Sequence, residues 1–204
     1  MLVIGLCGGS GSGKGTVCSI FSKHGIPSID TDAVYRELTA SDTPCVEALK
    51  ESFGNEIISE NGSLNRKALA KLVFCNNDAK EKLRTLNKIS HKFILEETRS
   101  RLKVYNEEGY KAVIIDAPVL FESDFDKECD IIISVIADND IRLSRIMTRD
   151  NIDENAATAR ITAQLSNDKL IAQSNIVIEN NSDFIDLEKR INEVVDLLKN
   201  YTER

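Results

Sequence analysis

Proline is scarce in this 204-residue chain, with three in all, and no Pro/Gly-rich stretch breaks it into separately linked domains. Histidine is scarcer still, with His24 and His91 alone, and no Cys-x-x-Cys pair occurs. A zinc constellation is therefore excluded. No apolar run approaches the roughly 18 residues of a membrane span. The amino terminus carries no basic segment leading into an apolar one, so no secretory signal is expected. An excess of positive charge is also missing. Lys and Arg number 26 against 33 Asp and Glu, for a net charge of -7. Sequence-independent binding of nucleic acid rests on neutralising phosphates, and an acidic chain is ill-suited to it. Any phosphorylated ligand must be held by locally placed cations.

What remains is ordinary globular material, 42% hydrophobic and 29% charged. That is enough for one sizeable core carrying small inserted lobes. The five cysteines are odd in number, and we expect them reduced and mostly buried, as in a cytoplasmic protein. A monomer acting on small molecules, away from membrane and nucleic acid, is expected.

The most informative stretch is Gly8-Gly9-Ser10-Gly11-Ser12-Gly13-Lys14-Gly15-Thr16. It follows the apolar run 2–7 and precedes a pattern with Val17, Ile20 and Phe21 on one helical face. Strand, glycine-rich loop and helix are the setting of a phosphate-binding P-loop. Glycines let several N–H groups converge into a nest, the helix adds its positive end, and Lys14 supplies a cation for the outer phosphates. We expect Gly11, Ser12, Gly13, Lys14, Gly15 and Thr16 to bind ATP. The strict motif puts Ser or Thr directly after the lysine. Here Gly15 intervenes, so either Thr16 supplies the hydroxyl or Mg2+ is held through water and phosphates, which it tolerates. The Gly-Lys-Gly-Thr variant resembles adenylate kinases.

Val/Ile-rich runs at 2–7, 26–29, 112–116, 131–136 and 176–178 alternate with helical patterns. The reading is an α/β fold: a five-stranded parallel sheet, a P-loop kinase core flanked by helices. The core comprises 1–30, 111–149 and 173–204. Residues 31–110 are strongly helical, with Leu83, Leu86, Ile89, Phe93 and Leu102 at helical intervals, and form a helical acceptor-binding lobe. Residues 150–172, polar in character, form a small lid that would exclude water. Phe184, Leu187, Ile191, Val194 and Leu198 lie on the buried face of the last helix.

Ligands of open α/β sheets bind beyond the carboxyl ends of the strands. Ile29-Asp30-Thr31-Asp32 sits at one such end. Asp32 fits a general base for an attacking hydroxyl and, equally, a helix cap, with Asp30 orienting it or touching Mg2+. Asp116 ends an apolar strand in the Walker B manner and would hold Mg2+ through water. Glu122 fits either an acceptor pocket or a solvated surface. Arg142, Arg145, Arg149 and Arg160 flank the lid, where arginines can neutralise transferring phosphoryl charge or form a solvated face. Arg36 lies four residues beyond Asp32. Asn180 and Asn181 follow the last strand, where they fit an adenine contact or a turn. His91 alone suggests structure more than chemistry.

Together these pieces resemble the dephospho-CoA kinases. The resemblance rests on 5–14, Ile29-Asp30-Thr31-Asp32 with Arg36, and Phe74 with Asn76. It continues through Leu86-Asn87 with His91, Asp116-Ala117-Pro118-Val119-Leu120-Phe121-Glu122, Arg145, Arg149-Asp150, Arg160 with Gln164, and 178–181. It implies phosphorylation of the ribose 3′-hydroxyl of dephospho-CoA by ATP, with Mg2+. It further implies Asp32 as general base and Lys14 on the β- and γ-phosphates. Arg145 or Arg149 would close over ATP together with Asn181. The acceptor would meet Asp30, Arg36, His91, Pro118, Leu120 and Glu122, and the metal Thr16 and Asp116. This chain departs from the family's usual pattern at Gly15, normally Ser, and at Lys92, often Pro.

Two other readings compete. A nucleoside monophosphate kinase fits Gly15, but the Asp-Gly-Phe-Pro-Arg stretch usual after the third strand is replaced by Asp116-Ala117-Pro118-Val119. A non-enzymatic nucleotide switch would carry Asn-Lys-x-Asp after a late strand, and Asn87-Lys88-Ile89-Ser90 does not match.

Overall fold

A computed structural model describes residues 1–74 and 78–202. Cys75 and Asn76 lie outside the described residues. The chain divides into two compact units, Met1–Ile29 with Val104–Arg204, and Asp30–Lys103.

The first unit is built on a sheet of five strands, β1 (Leu2–Cys7), β2 (Ser28–Asp30), β3 (Ala112–Asp116), β4 (Ile131–Ile136) and β5 (Ile176–Glu179), in the order β2-β3-β1-β4-β5. This is the expected five-stranded parallel α/β sheet. β1 lies parallel between β3 and β4, with Leu6 opposite both Asp116 and Ile133. Helices α1 (Lys14–Lys23) and α9 (Phe184–Thr202) contribute Val17, Ile20, Phe21, Leu187 and Ile191 to the core that covers Ile4, Leu6, Ile114 and Ile133. Strands buried this deeply cannot alternate polar and apolar residues, hence their unbroken Val/Ile character. Gly5 interrupts β1 because an added Cβ would meet the Cys129 sulfur at 2.8 Å and Leu120 at 3.0 Å.

Three details differ from expectation. β2 starts at Ser28, not Ile26. The Ile26 amide donates to the Phe21 carbonyl (3.1 Å) to finish α1, and Pro27 offers only its carbonyl, which accepts from Ile114 at 2.8 Å. Phe184 is half exposed, with the Lys23 amine 5.5 Å from its ring centre, and Val195 joins the buried face of α9 instead. The polar segment after α6 (Asn139–Asp150) contains helices α7 (Glu154–Thr162) and α8 (Asn167–Ala172), capped by Asp153 and Ser166. α7 buries only Ala157, so no apolar period announces it.

The second unit holds α2 (Thr31–Leu38), α3 (Pro44–Phe53), α4 (Arg66–Phe74) and most of the long α5 (Ala79–Glu107). Its separate core gathers Cys45, Leu49, Ile57, Leu69 and Val73, with Leu83, Leu86, Ile89 and Phe93 of α5 packed on it. Among the described residues no helix is long and apolar enough to cross a membrane.

Candidate nucleotide-binding site

β1 is the strand at which the sheet order changes direction, with β3 on one side and β4 on the other. The crevice beyond the carboxyl end of such a strand is where α/β sheets bind ligands. The segment 8–13 occupies it and ends at Gly13, whose φ of 91° lies in the left-handed region before α1 begins. A side chain at Gly13 would meet the Asn180 amide nitrogen at 2.1 Å, so glycine is required there on two counts. Among the described residues the amides of Gly11, Gly13, Lys14 and Gly15 donate to no backbone or side-chain acceptor. The buried Ser12 hydroxyl is likewise without a partner. Unclaimed donors concentrated at a helix amino end fit a polyphosphate.

Lys14 and Asp116 form an ion pair across the crevice, each side chain mostly buried. The register of β1 against β3, with Leu6 opposite Asp116, fixes that juxtaposition. The Cys18 thiol sits 3.5 Å from the second Asp116 oxygen. Burial first, and then the Asp116 charge, pushes the Cys18 pKa up to about 12, so this sulfur stays protonated beside the carboxylate. Gly15 has open space where a side chain would stand, and Thr16 is exposed on the first turn of α1. Among the described residues no cluster of three or more His, Cys, Asp or Glu could hold a metal. One carboxylate and a hydroxyl beside a phosphate nest suit Mg2+, which keeps most of its waters.

The outer side of the loop is held by three long side chains. Arg142 donates to the Ser10 carbonyl (2.9 Å), Arg145 to that of Gly11 (3.2 Å) and Asn180 to that of Ser12 (2.8 Å). Asn181 instead accepts from the Asp138 amide at 2.8 Å and tethers the start of α6. Arg149 lies at the end of α6, with its guanidinium on Asp150 at 2.8 and 2.9 Å, and Arg160 bonds the same carboxylate. Arg149, with Arg160 adding to it, holds the Asp150 carboxyl down at about 2.

A cavity of about 100 Å³ opens beside the loop, lined by Cys7, Gly8, Gly9, Pro118, Glu122 and Gln164 among others. Leu120 does not line it. That side chain is fully buried against Gly5, a packing position. In the second unit, Asp30 and not Asp32 caps α2, accepting from the Asp32 and Ala33 amides at 2.8 and 3.0 Å. The capping alternative for Asp32 is thereby corrected, because the helix starts at Thr31, two residues before the Ala33 that an Asp32 cap requires. Asp30 also pairs with Arg36 at 3.4 Å, and Asp32 lies exposed in the same first turn. His91 is half-buried on α5.

The profile of the dephospho-CoA kinase family matches residues 2–186. The chain belongs to the dephospho-CoA kinase family. A dephospho-CoA kinase of Fusobacterium nucleatum is 38% identical over 191 residues, covering 94% of this chain and 95% of its own. Among solved structures, TT1252 from Thermus thermophilus superposes with a TM-score of 0.79 at 28% identity over 97% of each chain. A dephospho-CoA kinase from Campylobacter jejuni matches at a TM-score of 0.69 over 96% of each chain, and at 22% identity it speaks for the fold alone.

Three site positions take their roles from contacts that the local sequence does not display. By sequence Arg142 is one of a cluster, and in the structure it shares the inner face of α6 with the buried Ile146, four residues on. Gln164 carried resemblance and no role. Asn180, whose place after the last strand fits an adenine contact or a turn, is spent on the loop. No local signal identifies Asn180, because its partner lies 168 residues away.

Proposed function

We propose that this protein transfers the terminal phosphoryl group of ATP to the ribose 3′-hydroxyl of dephospho-CoA, giving coenzyme A and ADP. Its membership of the family supports the reaction. The observation that carries the reading is the nest of unclaimed amides of Gly11, Gly13, Lys14 and Gly15, with the Lys14 side chain within reach. These amides and Lys14 would bind the β- and γ-phosphates, with Lys14 leaving Asp116 to do so. Asp116 and Thr16 are the residues that would hold Mg2+, whose role when bound is to neutralise charge on the phosphates.

In the transfer, the 3′-oxygen of the acceptor forms a bond to the γ-phosphorus as the bond from that phosphorus to the β–γ bridging oxygen breaks. Asp32 takes the hydroxyl proton, and ADP carries away the bridging oxygen. Arg145 and Arg149 would spread the equatorial charge of the moving group. Residues 150–172 would act as the lid, and 31–110 as the acceptor lobe with Asp30, Arg36 and His91. Pro118 and Glu122 would meet the acceptor from the core. Four cysteines read as free thiols support a reducing compartment, the cytoplasm, and a monomer suffices for this chemistry.

The test offers dephospho-CoA, AMP, CMP and shikimate side by side and measures ADP released from ATP. Turnover with dephospho-CoA alone is expected. Faster turnover with AMP or CMP would replace this reading with that of a nucleoside monophosphate kinase.

A further inference from the structure

Arg142 is the largest of the fully buried side chains among the described residues, retaining 2% of its accessible surface. It has no acidic partner there, and burial alone lowers its pKa. A sealed cation without a counter-ion is unfavourable, so its presence calls for an account in terms of what its donors reach. They reach the phosphate loop. Nε donates to the Ser10 carbonyl at 2.9 Å, Nη2 to Gln164 Oε1 at 3.1 Å and Nη1 to Asn139 Oδ1 at 3.4 Å. The same Gln164 oxygen accepts from the Ser10 amide at 2.8 Å, and Gln164 Nε2 meets the Ser10 hydroxyl at 3.2 Å. Ser10 is thus gripped at its amide, its carbonyl and its hydroxyl by two side chains from α6 and the segment after α7. Packing agrees with the bonding. A Cβ on Gly9 would lie 2.2 Å from Arg142 Nη2, and one on Gly11 2.6 Å from the Arg142 carbonyl oxygen.

We propose that Arg142 is a positioning residue of the nucleotide site. Acting through Ser10, with Gln164 as its partner, it fixes the outer limb of the phosphate loop and lends the nest an uncompensated positive charge. This rests on the proposed use of the loop for ATP, and it concerns a residue that touches neither substrate. A carbonyl pinned outward turns the amide of the next residue the other way, so Arg142 presets the Gly11 N–H for a phosphate oxygen. Its charge is fixed in place, unlike that of the exposed Arg149. Phosphates arriving at the nest supply the counter-charge that the protein withholds. Nucleotide affinity, and not acceptor affinity, is therefore the quantity that depends on it.

The test compares Arg142→Lys, Arg142→Met, Gln164→Ala and the Arg142→Met/Gln164→Ala double variant. Calorimetric Kd for ADP and ATP, KM for each substrate, kcat and Tm are measured for each. Arg142→Met is expected to weaken ATP binding and raise its KM about tenfold or more, while KM for dephospho-CoA stays within about twofold. Arg142→Lys keeps the charge without the fork and should fall between wild type and Arg142→Met. The double variant should lose less than the product of the two single losses, because both act on Ser10. A lowered Tm with unchanged ATP and ADP affinity would make Arg142 a purely structural residue and overturn the proposal. If Arg142→Met does not fold, Arg142→Lys and Gln164→Ala decide it: nucleotide affinity equal to wild type in both rejects the proposal. Because the binding measurements use nucleotide alone, failure of wild type to turn over dephospho-CoA would sink the functional reading and leave this one standing on its own data.

Discussion

Gly13 and Gly15 are two residues apart in the same loop-to-helix junction, yet alanine should act on them with opposite signs. At Gly15 an added Cβ meets nothing within 4 Å, and the residue is already helical. Replacing a helical glycine by alanine removes backbone entropy from the unfolded chain and gains about 0.5–1 kcal/mol. For a domain of this size 1 kcal/mol moves Tm by about 2–4 °C, so Gly15→Ala should melt about 1–4 °C higher. At Gly13 the φ of 91° costs a non-glycine residue roughly 1–2 kcal/mol. The new Cβ also falls 2.1 Å from the Asn180 nitrogen and breaks its buried bond to Ser12, which costs about 1–3 kcal/mol more. Gly13→Ala should therefore lose roughly 2–5 kcal/mol and melt at least about 4 °C lower. Thermal unfolding followed by circular dichroism reads both. A lower Tm for Gly15→Ala, or an unchanged one for Gly13→Ala, would refute this account of the junction.

Asp32→Asn should retain ATP binding while turnover falls roughly 10²–10⁴-fold, and near-normal turnover would remove Asp32 from the chemistry. The Asp150 pKa, held at about 2 against an ordinary 3.8, makes the Arg149–Asp150–Arg160 cluster sensitive to acid. Because the folded value is the lower one, its contribution is complete above about pH 4 and is lost as the pH falls towards 2. An NMR titration of the Asp150 carboxyl with a midpoint near 4 would contradict the pairing. Burial drives Cys18 and Cys129 up to about 12 and Cys45 up to about 11. At pH 8 the first two should thus be thiolate in only about one molecule in 10⁴. Iodoacetamide mapping by mass spectrometry should find all three unmodified in the native protein, and rapid labelling of Cys18 would place it in a different environment.

The sheet was legible because buried parallel strands must be apolar on both faces, and runs such as Val113-Ile114-Ile115 have no other economical reading. The P-loop was legible because its chemistry is local: glycines, lysine and helix start are consecutive. What escaped was set by distant partners. Asn180 and Asn181 are equivalent as a sequence pair, but only the fold sends one to Ser12 and the other to Asp138. Leu120 sits in a motif that reads as substrate-facing, and the tight packing at Gly5 draws it inward. Helices α7 and α8 were hidden because their ends are fixed by Asp153 and Ser166 caps and not by an apolar stripe. Asp30 and Asp32 differ in role because capping is decided by which residue precedes the first helical turn, a distinction of two positions that composition does not register.

The three donors on the loop's outer side bear on a problem every phosphate nest faces. Amides that converge on one point repel one another, and glycines that permit the curl also permit many other shapes. Without ligand, such a loop would relax by turning peptide planes over and would have to be reordered at each binding event. Pinning the Ser10, Gly11 and Ser12 carbonyls to Arg142, Arg145 and Asn180 opposes that relaxation at three successive peptides. The donors come from α6 and from the residue that follows β5, whose positions are set by the core and not by the nucleotide. Glycine and rigid donor therefore solve complementary halves of one problem: the first allows the convergent geometry and the second keeps it in place. Preorganisation of this kind costs stability in the free protein and returns it as affinity for the charge that arrives.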